Sequence, residues 1–182
     1  MNKSMSLASL LLAIVLLVSS GCGENVAQAK EYMKKGDSDL ARVDPLYEKI
    51  VRLSIALATD YAAGVNTEPA GVKAEIDEIK ALVNKAKDGT SKAKKEYEKI
   101  YKLEGVHDYK RYVLIRQEQI DLNRAVDSTV SEMIDIIEAS STTGQAPDVD
   151  RLTRLADYLR LLSLGIGETK AKADELKKDK KL

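Results

Sequence analysis

The 182-residue chain has a single cysteine, a single histidine, three prolines, and neither tryptophan nor phenylalanine. One cysteine excludes a disulfide framework within the chain. With only one histidine beside it, a multi-cysteine zinc site and a multi-histidine metal cage are excluded too. Charge of one sign is also missing, since 29 Lys+Arg offset 29 Asp+Glu. The basic excess of a nucleic-acid binder is therefore absent, and no nucleic-acid partner is expected. Strand-like alternation is found nowhere along the chain, which argues against a sheet. What remains is 44% hydrophobic and 32% charged, the composition of one folded domain rather than a disordered tail.

The first segment reads as an address. Met1, Asn2 and Lys3 make a short positive start, and Leu7 to Val18 is apolar except for Ser9. Such a run is too short to span a bilayer comfortably as a permanent helix and fits an export signal. It ends Val18-Ser19-Ser20-Gly21-Cys22, so the sole cysteine directly follows small residues. This stretch resembles the lipobox of bacterial lipoproteins, with Ser19 where leucine is commonest. The resemblance implies that residues 1–21 are a signal peptide cleaved after Gly21 and that Cys22 is diacylated with palmitate-type chains. It further implies that residues 22–182 form an extracytoplasmic domain on the cell membrane or, in a two-membrane bacterium, on the outer membrane. The competing readings are an ordinary secretory signal with an incidental cysteine, or an uncleaved anchor. Cleavage removes Lys3 and no acid, leaving 28 basic and 29 acidic side chains. Two acyl chains hold a protein far more firmly than one, at about 0.8 kcal/mol per buried methylene, so no transmembrane helix is needed afterwards.

The mature part reads as four helical segments. Val72, Ile76, Ile79, Val83, Ala86, Thr90, Ala93, Tyr97 and Ile100 recur at alternating steps of four and three, a heptad stripe. The stripe keeps its phase through Gly89, although glycine costs about 1 kcal/mol in a helix interior. One helix is predicted from Pro69 to Leu103, with Thr67 as its cap. Before it, Leu46, Ile50, Leu53 and Leu57 carry the same spacing, and Val43, Leu40, Met33, Ala29 and Val26 continue it backward. This predicts a first helix over Asn25 to Ala63, kinked or interrupted at Pro45 or at Gly36-Asp37-Ser38. A third helix is expected over Asp108 to Ser140, with Tyr112, Ile115, Leu122, Val126, Val130, Met133 and Ile137 on one face and Gln119 as the polar exception. The fourth runs from Asp148 to Lys178 on Leu152, Leu155, Leu159, Leu162, Ile166, Ala173 and Leu176.

The breaks set the topology. Ala63-Gly64-Val65 and Glu104-Gly105-Val106 each place an apolar residue after glycine, as in a left-handed C-terminal cap with its hydrophobic contact. Thr143-Gly144 followed by Pro147-Asp148 repeats the stop and restart. Three short connections between long amphipathic helices imply an all-α, elongated, up-down-up-down four-helix bundle.

Candidate chemistry is sparse. Glu104 and His107 have the spacing of a carboxylate-imidazole metal pair, but a di-iron bundle needs two such motifs and Gly105 breaks the helix between these residues. His107 is read as a turn residue, no haem ligation or catalytic relay is argued from it, and no cofactor is expected. Tyr97, Tyr101, Tyr109 and Tyr112 surround the second connection, where they either close the end of the bundle by packing or converge on a ligand. Tyr47-Glu48-Lys49-Ile50 recurs as Tyr97-Glu98-Lys99-Ile100, which suits an amphipathic helix with tyrosine at its margin better than a duplicated hairpin. Gly89, Gly165 and Gly167 are read as tolerance of glycine where packing is slack.

Two function classes follow, neither of them an enzyme. The favoured one is a membrane-anchored helical protein that binds or spaces an unknown protein partner. The alternative is a bundle that senses or carries a small molecule, which polar residues inside the stripes would favour; Gln119 and Thr90 are the obvious ones. The order of helices also divides the charge. Residues 57–84 hold five acids and two bases, and residues 130–150 five acids and no base, a sum of minus eight for the end distant from Cys22. Residues 85–112 hold nine bases and five acids, and residues 168–182 six bases and four acids, a sum of plus six for the near end. Lys177, Lys178, Lys180 and Lys181 are candidates to touch an anionic membrane surface, the alternative being a solvated tail that aids solubility.

Overall fold

The computed structural model describes the backbone of residues 7–65 and 68–182, and the side chains of residues 23–65 and 68–182. The side chain of Cys22, on which the expected lipid attachment rests, lies outside the described residues, as does Thr67. Four helices follow in order: α1 (Leu7–Ala62), α2 (Pro69–Tyr101), α3 (His107–Thr143) and α4 (Val149–Lys180). Among the described residues there is no strand. The helices form an up-down-up-down bundle in which α1 packs on all three others, α3 also packs on α2 and α4, and α2 and α4 do not meet. The 33 residues of α2 at 1.5 Å each make a rod roughly 50 Å long.

The α2 stripe is buried at every position from Val72 to Ile100. Gly89 sits within it because α1 comes close: a β-carbon there would fall inside the Val43 side chain, and one at Gly36 would lie 2.6 Å from the Tyr97 ring. These glycines mark close approach, correcting the reading of Gly89 as slack packing. At Gly167 nothing lies within 4 Å, so slack describes that position alone.

Helix α1 corrects the expected interruption. It runs through both Gly36 and Pro45 without interruption and extends upstream of Asn25. Pro45 deprives the Ala41 carbonyl of its intrahelical donor, but both residues are exposed, so water can satisfy that carbonyl. Helix α2 has Glu68 at its cap position, with no side-chain hydrogen bond, and Pro69 in its first turn.

At the first connection Gly64 has φ 68°, the Val65 N–H donates to Asp60 O at 2.9 Å and the Gly64 N–H to Tyr61 O at 3.2 Å. This is the paired hydrogen-bonding of a left-handed cap. The expected hydrophobic contact is missing, since Val65 is 76% exposed. At the second connection Gly105 has φ 73° and Val106 is buried. At the third, Gly144 closes α3 in the left-handed region, and the Asp148 carboxylate accepts from the Arg151 N–H at 3.0 Å to open α4.

The core has two parts. One cluster joins Val43 to Tyr61 of α1 with Val72 to Ala86, Val126 to Ile137 and Leu152 to Leu162. The other gathers Ala29, Met33, Leu40, Ala93, Tyr97, Ile100, Val106, Tyr112, Ile120 and Ala173 at the opposite end. Helix α3 buries a broader face than its single stripe: Arg116, Asn123 and Asp127 are buried, while Ile115 and Leu122 are only half-buried. Along α4 the buried positions include Leu152, Leu159, Leu162 and Ala173.

Candidate functional site

A layer of polar side chains from all four helices runs through the second core cluster, to which Tyr97 and Tyr112 belong. Asp37 of α1 is its centre. Its Oδ1 accepts from the hydroxyls of Tyr97 at 2.8 Å and Tyr112 at 2.7 Å, and its Oδ2 accepts from Lys177 Nζ at 2.7 Å. Arg116 donates Nε to the Tyr112 hydroxyl at 2.8 Å, Nη1 to Gln119 Oε1 at 2.9 Å and Nη2 to Asp174 Oδ1 at 3.2 Å. Gln119 passes the chain on, donating Nε2 to Asp44 Oδ1 at 2.9 Å, and Lys170 lies 2.9 Å from Asp44 Oδ2. The spacing follows the heptad: Asp37 and Asp44 are one heptad apart on α1, as are Lys170 and Lys177 on α4.

This layer balances Asp37, Asp44 and Asp174 against Arg116, Lys170 and Lys177. Burial, and then the charge of Asp37, pushes the Tyr97 hydroxyl well above its ordinary value. Burial also raises Tyr112, opposed by Arg116 and helped by Asp37. Both tyrosines therefore remain neutral donors, and both oxygens of Asp37 are occupied. The arrangement orients helices; it offers no poised nucleophile or base.

Asp127 has a different environment. It is 5% exposed; its Oδ2 accepts from the Tyr47 hydroxyl at 3.1 Å, while its Oδ1 has no hydrogen-bond partner. Burial pushes its carboxyl up to about 6, against the opposing pull of the Lys87 charge and the Tyr47 hydroxyl. One turn earlier, the Asn123 amide is buried with neither its oxygen nor its nitrogen paired. Asp127 lies on a groove of about 250 Å³ between α2 and α3, lined by Lys80, Val83, Asn84 and Lys87 on one side and Val130, Ser131, Ile134 and Asp135 on the other.

The residues singled out from sequence separate. Lys178, Lys180 and Lys181 are exposed at the end of α4, whereas Lys177 is half-buried on Asp37. Asn25 Nδ2 donates to Glu104 O at 3.1 Å, bringing the second connection against the start of the described α1 side chains. His107 is exposed in the first turn of α3, and among the described residues no group of three or more His, Cys, Asp or Glu is arranged to hold a metal ion. No helix among the described residues is long and apolar enough to cross a membrane. Tyr97 and Tyr112 converge on a polar partner, and Tyr109 and Tyr101 pack with them. Neither Tyr47 nor Tyr97 is marginal, being 3% and 0% exposed, and each donates to an aspartate.

The buried polar residues exceed the Gln119 and Thr90 expected from sequence: Arg116, Asn123 and Asp127 join them. The available signal was their heptad-like spacing, 116, 119, 123 and 127, beside the apolar stripe of α3. Comparison with family models, curated proteins and solved structures gives no match.

Proposed function

We propose that the chain is a lipid-anchored, extracytoplasmic helical rod that acts by binding or spacing, tethered through Cys22. The observation that carries this reading is the hydrogen bond from Asn25 to Glu104 at 3.1 Å. Three residues after Cys22 the chain is fastened to the second connection. Leu182 packs into the same end cluster as Ala29, Met33 and Val106. A tether at Cys22 therefore keeps the second connection and the C-terminus near the bilayer and holds the first and third connections roughly 50 Å out. The polar layer supports a rod, since it links all four helices through internal partners.

In this reading Lys178, Lys180 and Lys181 face the membrane, each worth about 1 kcal/mol within a Debye length of an anionic surface. Lys177 is committed to Asp37 and adds less. The test is the intact mass of the membrane-extracted protein, expected to show a chain beginning at Cys22 with added acyl mass, while Cys22→Ser moves to the soluble fraction. A mature chain starting elsewhere, or a Cys22→Ser protein still on membranes, refutes the anchor. For the tail, residues 23–182 should bind anionic vesicles weakly and salt-sensitively, and lose that binding when Lys178, Lys180 and Lys181 become Gln. Binding that ignores salt and these substitutions leaves the tail without a membrane role.

A further inference from the structure

We propose that the outer face of α4 docks a second copy of this chain, the two α4 helices lying antiparallel about a two-fold axis at Leu161.

Three of the seven large apolar side chains exposed among the described residues stand together there: Tyr158, Leu161 and Leu164, at 47%, 64% and 65%. The buried residues Leu152, Leu159, Leu162 and Ala173 take the other side of the same helix. Helix α4 packs on α1 and α3 and does not meet α2, which leaves its outer side open among the described residues.

The charges name the occupant. Asp150, Arg154, Asp157, Leu161, Leu164, Glu168 and Lys172 follow steps of three and four, so they share one face, and all are exposed. Asp157 is paired with Arg160. Asp150, Arg154, Glu168 and Lys172 make no hydrogen bond or ion pair among the described residues. A two-fold axis at Leu161 sets each residue against the one equally far on its other side: Tyr158 on Leu164, Arg154 on Glu168 and Asp150 on Lys172. Each of the four unpaired charges thereby gains an opposite one. Parallel pairing instead sets every charge against its own twin, and an axis midway between Leu161 and Leu164 sets Asp157 against Glu168. At the roughly 20° crossing of helices that pack stripe on stripe, Arg154 and Glu168, one heptad from the axis, stay within reach of each other. The contact is small, so the pair is weak, with Kd about 10⁻⁴ M.

Antiparallel copies carry their bases at opposite ends. One consequence rests on the lipid anchor: anchored copies that pair in this way join two facing bilayers, with the ends of the two α4 helices roughly 57 Å apart.

The experiment uses the full chain in detergent with Cys22→Ser, which removes the only native thiol and the lipid, so a failed anchor cannot change its outcome. Sedimentation equilibrium should give the dimer. Arg154→Glu should weaken it by about tenfold or more, and adding Glu168→Arg should restore it. Leu161→Cys should form a disulfide dimer under mild oxidation while Glu175→Cys, on the same face but far from the axis, should not; a parallel pair would link both. No dimer up to about 1 mM, a dimer indifferent to Arg154→Glu, a double variant no better than the single, or equal oxidation at both cysteines would each overturn the proposal. Vesicles carrying the lipidated chain should cluster and disperse again with Arg154→Glu; vesicles that stay single refute the bridge.

Discussion

Lys177 Nζ lies 2.7 Å from Asp37 Oδ2, joining the last helix to the first across 140 residues of chain. The same carboxylate takes the hydroxyls of Tyr97 from α2 and Tyr112 from α3, so one side chain holds the rotational setting of three neighbours. A helix that turns or slips by one residue removes its donor from Asp37.

Asp37→Asn should therefore be among the more damaging single changes. It removes the charge that compensates Lys177 and Arg116 and gives two hydroxyl donors a weaker acceptor, a loss of about 3 kcal/mol. Lys177→Gln, at a half-exposed position, should cost about 1 kcal/mol or less. Urea unfolding of both variants checks the order; equal and negligible losses would remove the layer from the account of stability.

The glycines should respond in opposite directions. Gly36→Ala and Gly89→Ala each improve helix propensity by about 1 kcal/mol, but the added methyl meets Tyr97 or Val43. Overpacking costs about 1 to 3 kcal/mol, so both variants should lose net stability. Gly167→Ala, with open space around it, should gain about 0.5 to 1 kcal/mol. Thermal unfolding distinguishes the two outcomes.

Asp127 should make stability depend on pH in an unusual sense for a carboxylate. Its carboxyl is raised from 3.8 to about 6 by burial, so the folded state holds the proton more tightly than the unfolded state. The resulting stabilisation is complete below about pH 4 and lost as pH rises through about 6, up to about 3 kcal/mol. The groups that face it are Tyr47 on α1 and Lys87 on α2, with Arg124 of α3 acting on the Tyr47 it pairs with. Asp127→Asn keeps an acceptor for Tyr47 without the buried charge. It should be more stable than the parent by about 1 to 3 kcal/mol at pH 7, with little advantage near pH 4. Denaturant midpoints at the two pH values measure this, and a variant less stable at pH 7 contradicts it.

Leu159→Ala should cost about 2 to 5 kcal/mol, because that side chain is 0% exposed. Leu161, two positions along and 64% exposed, should tolerate the same change within about 0.5 kcal/mol. Matched unfolding curves test whether the phase of α4 is correct.

The α2 stripe was fully legible in the sequence because burial of one helix face depends on that helix's own periodicity, and the phase through Gly89 outweighed the local glycine signal. Pro45 was not legible, since the cost of losing one hydrogen bond depends on whether the Ala41 carbonyl reaches water. The polar layer was hidden for a different reason. Asp37, Arg116 and Lys177 each look like residues of a solvated face when their own helix is considered alone. Only the assembly of four helices puts them within bonding distance. Asp127 was hidden too: it sits one position beyond Val126 in the stripe of α3, and the width of that buried face is set by α1 and α2 packing against it.

The contact of α1 with each of the other three helices also has a mechanical consequence. A pull between Asn25 at the base of α1, where it meets Glu104, and Gly144 at the far end of α3 runs parallel to the helix interfaces. Such a load shears the whole length of the α1 seams at once, with Asp37 and Asp44 acting as cross-pins, instead of peeling them open one turn at a time. The bundle should thus yield at a higher force when drawn from base to tip than when α1 is peeled away from its partners at one end.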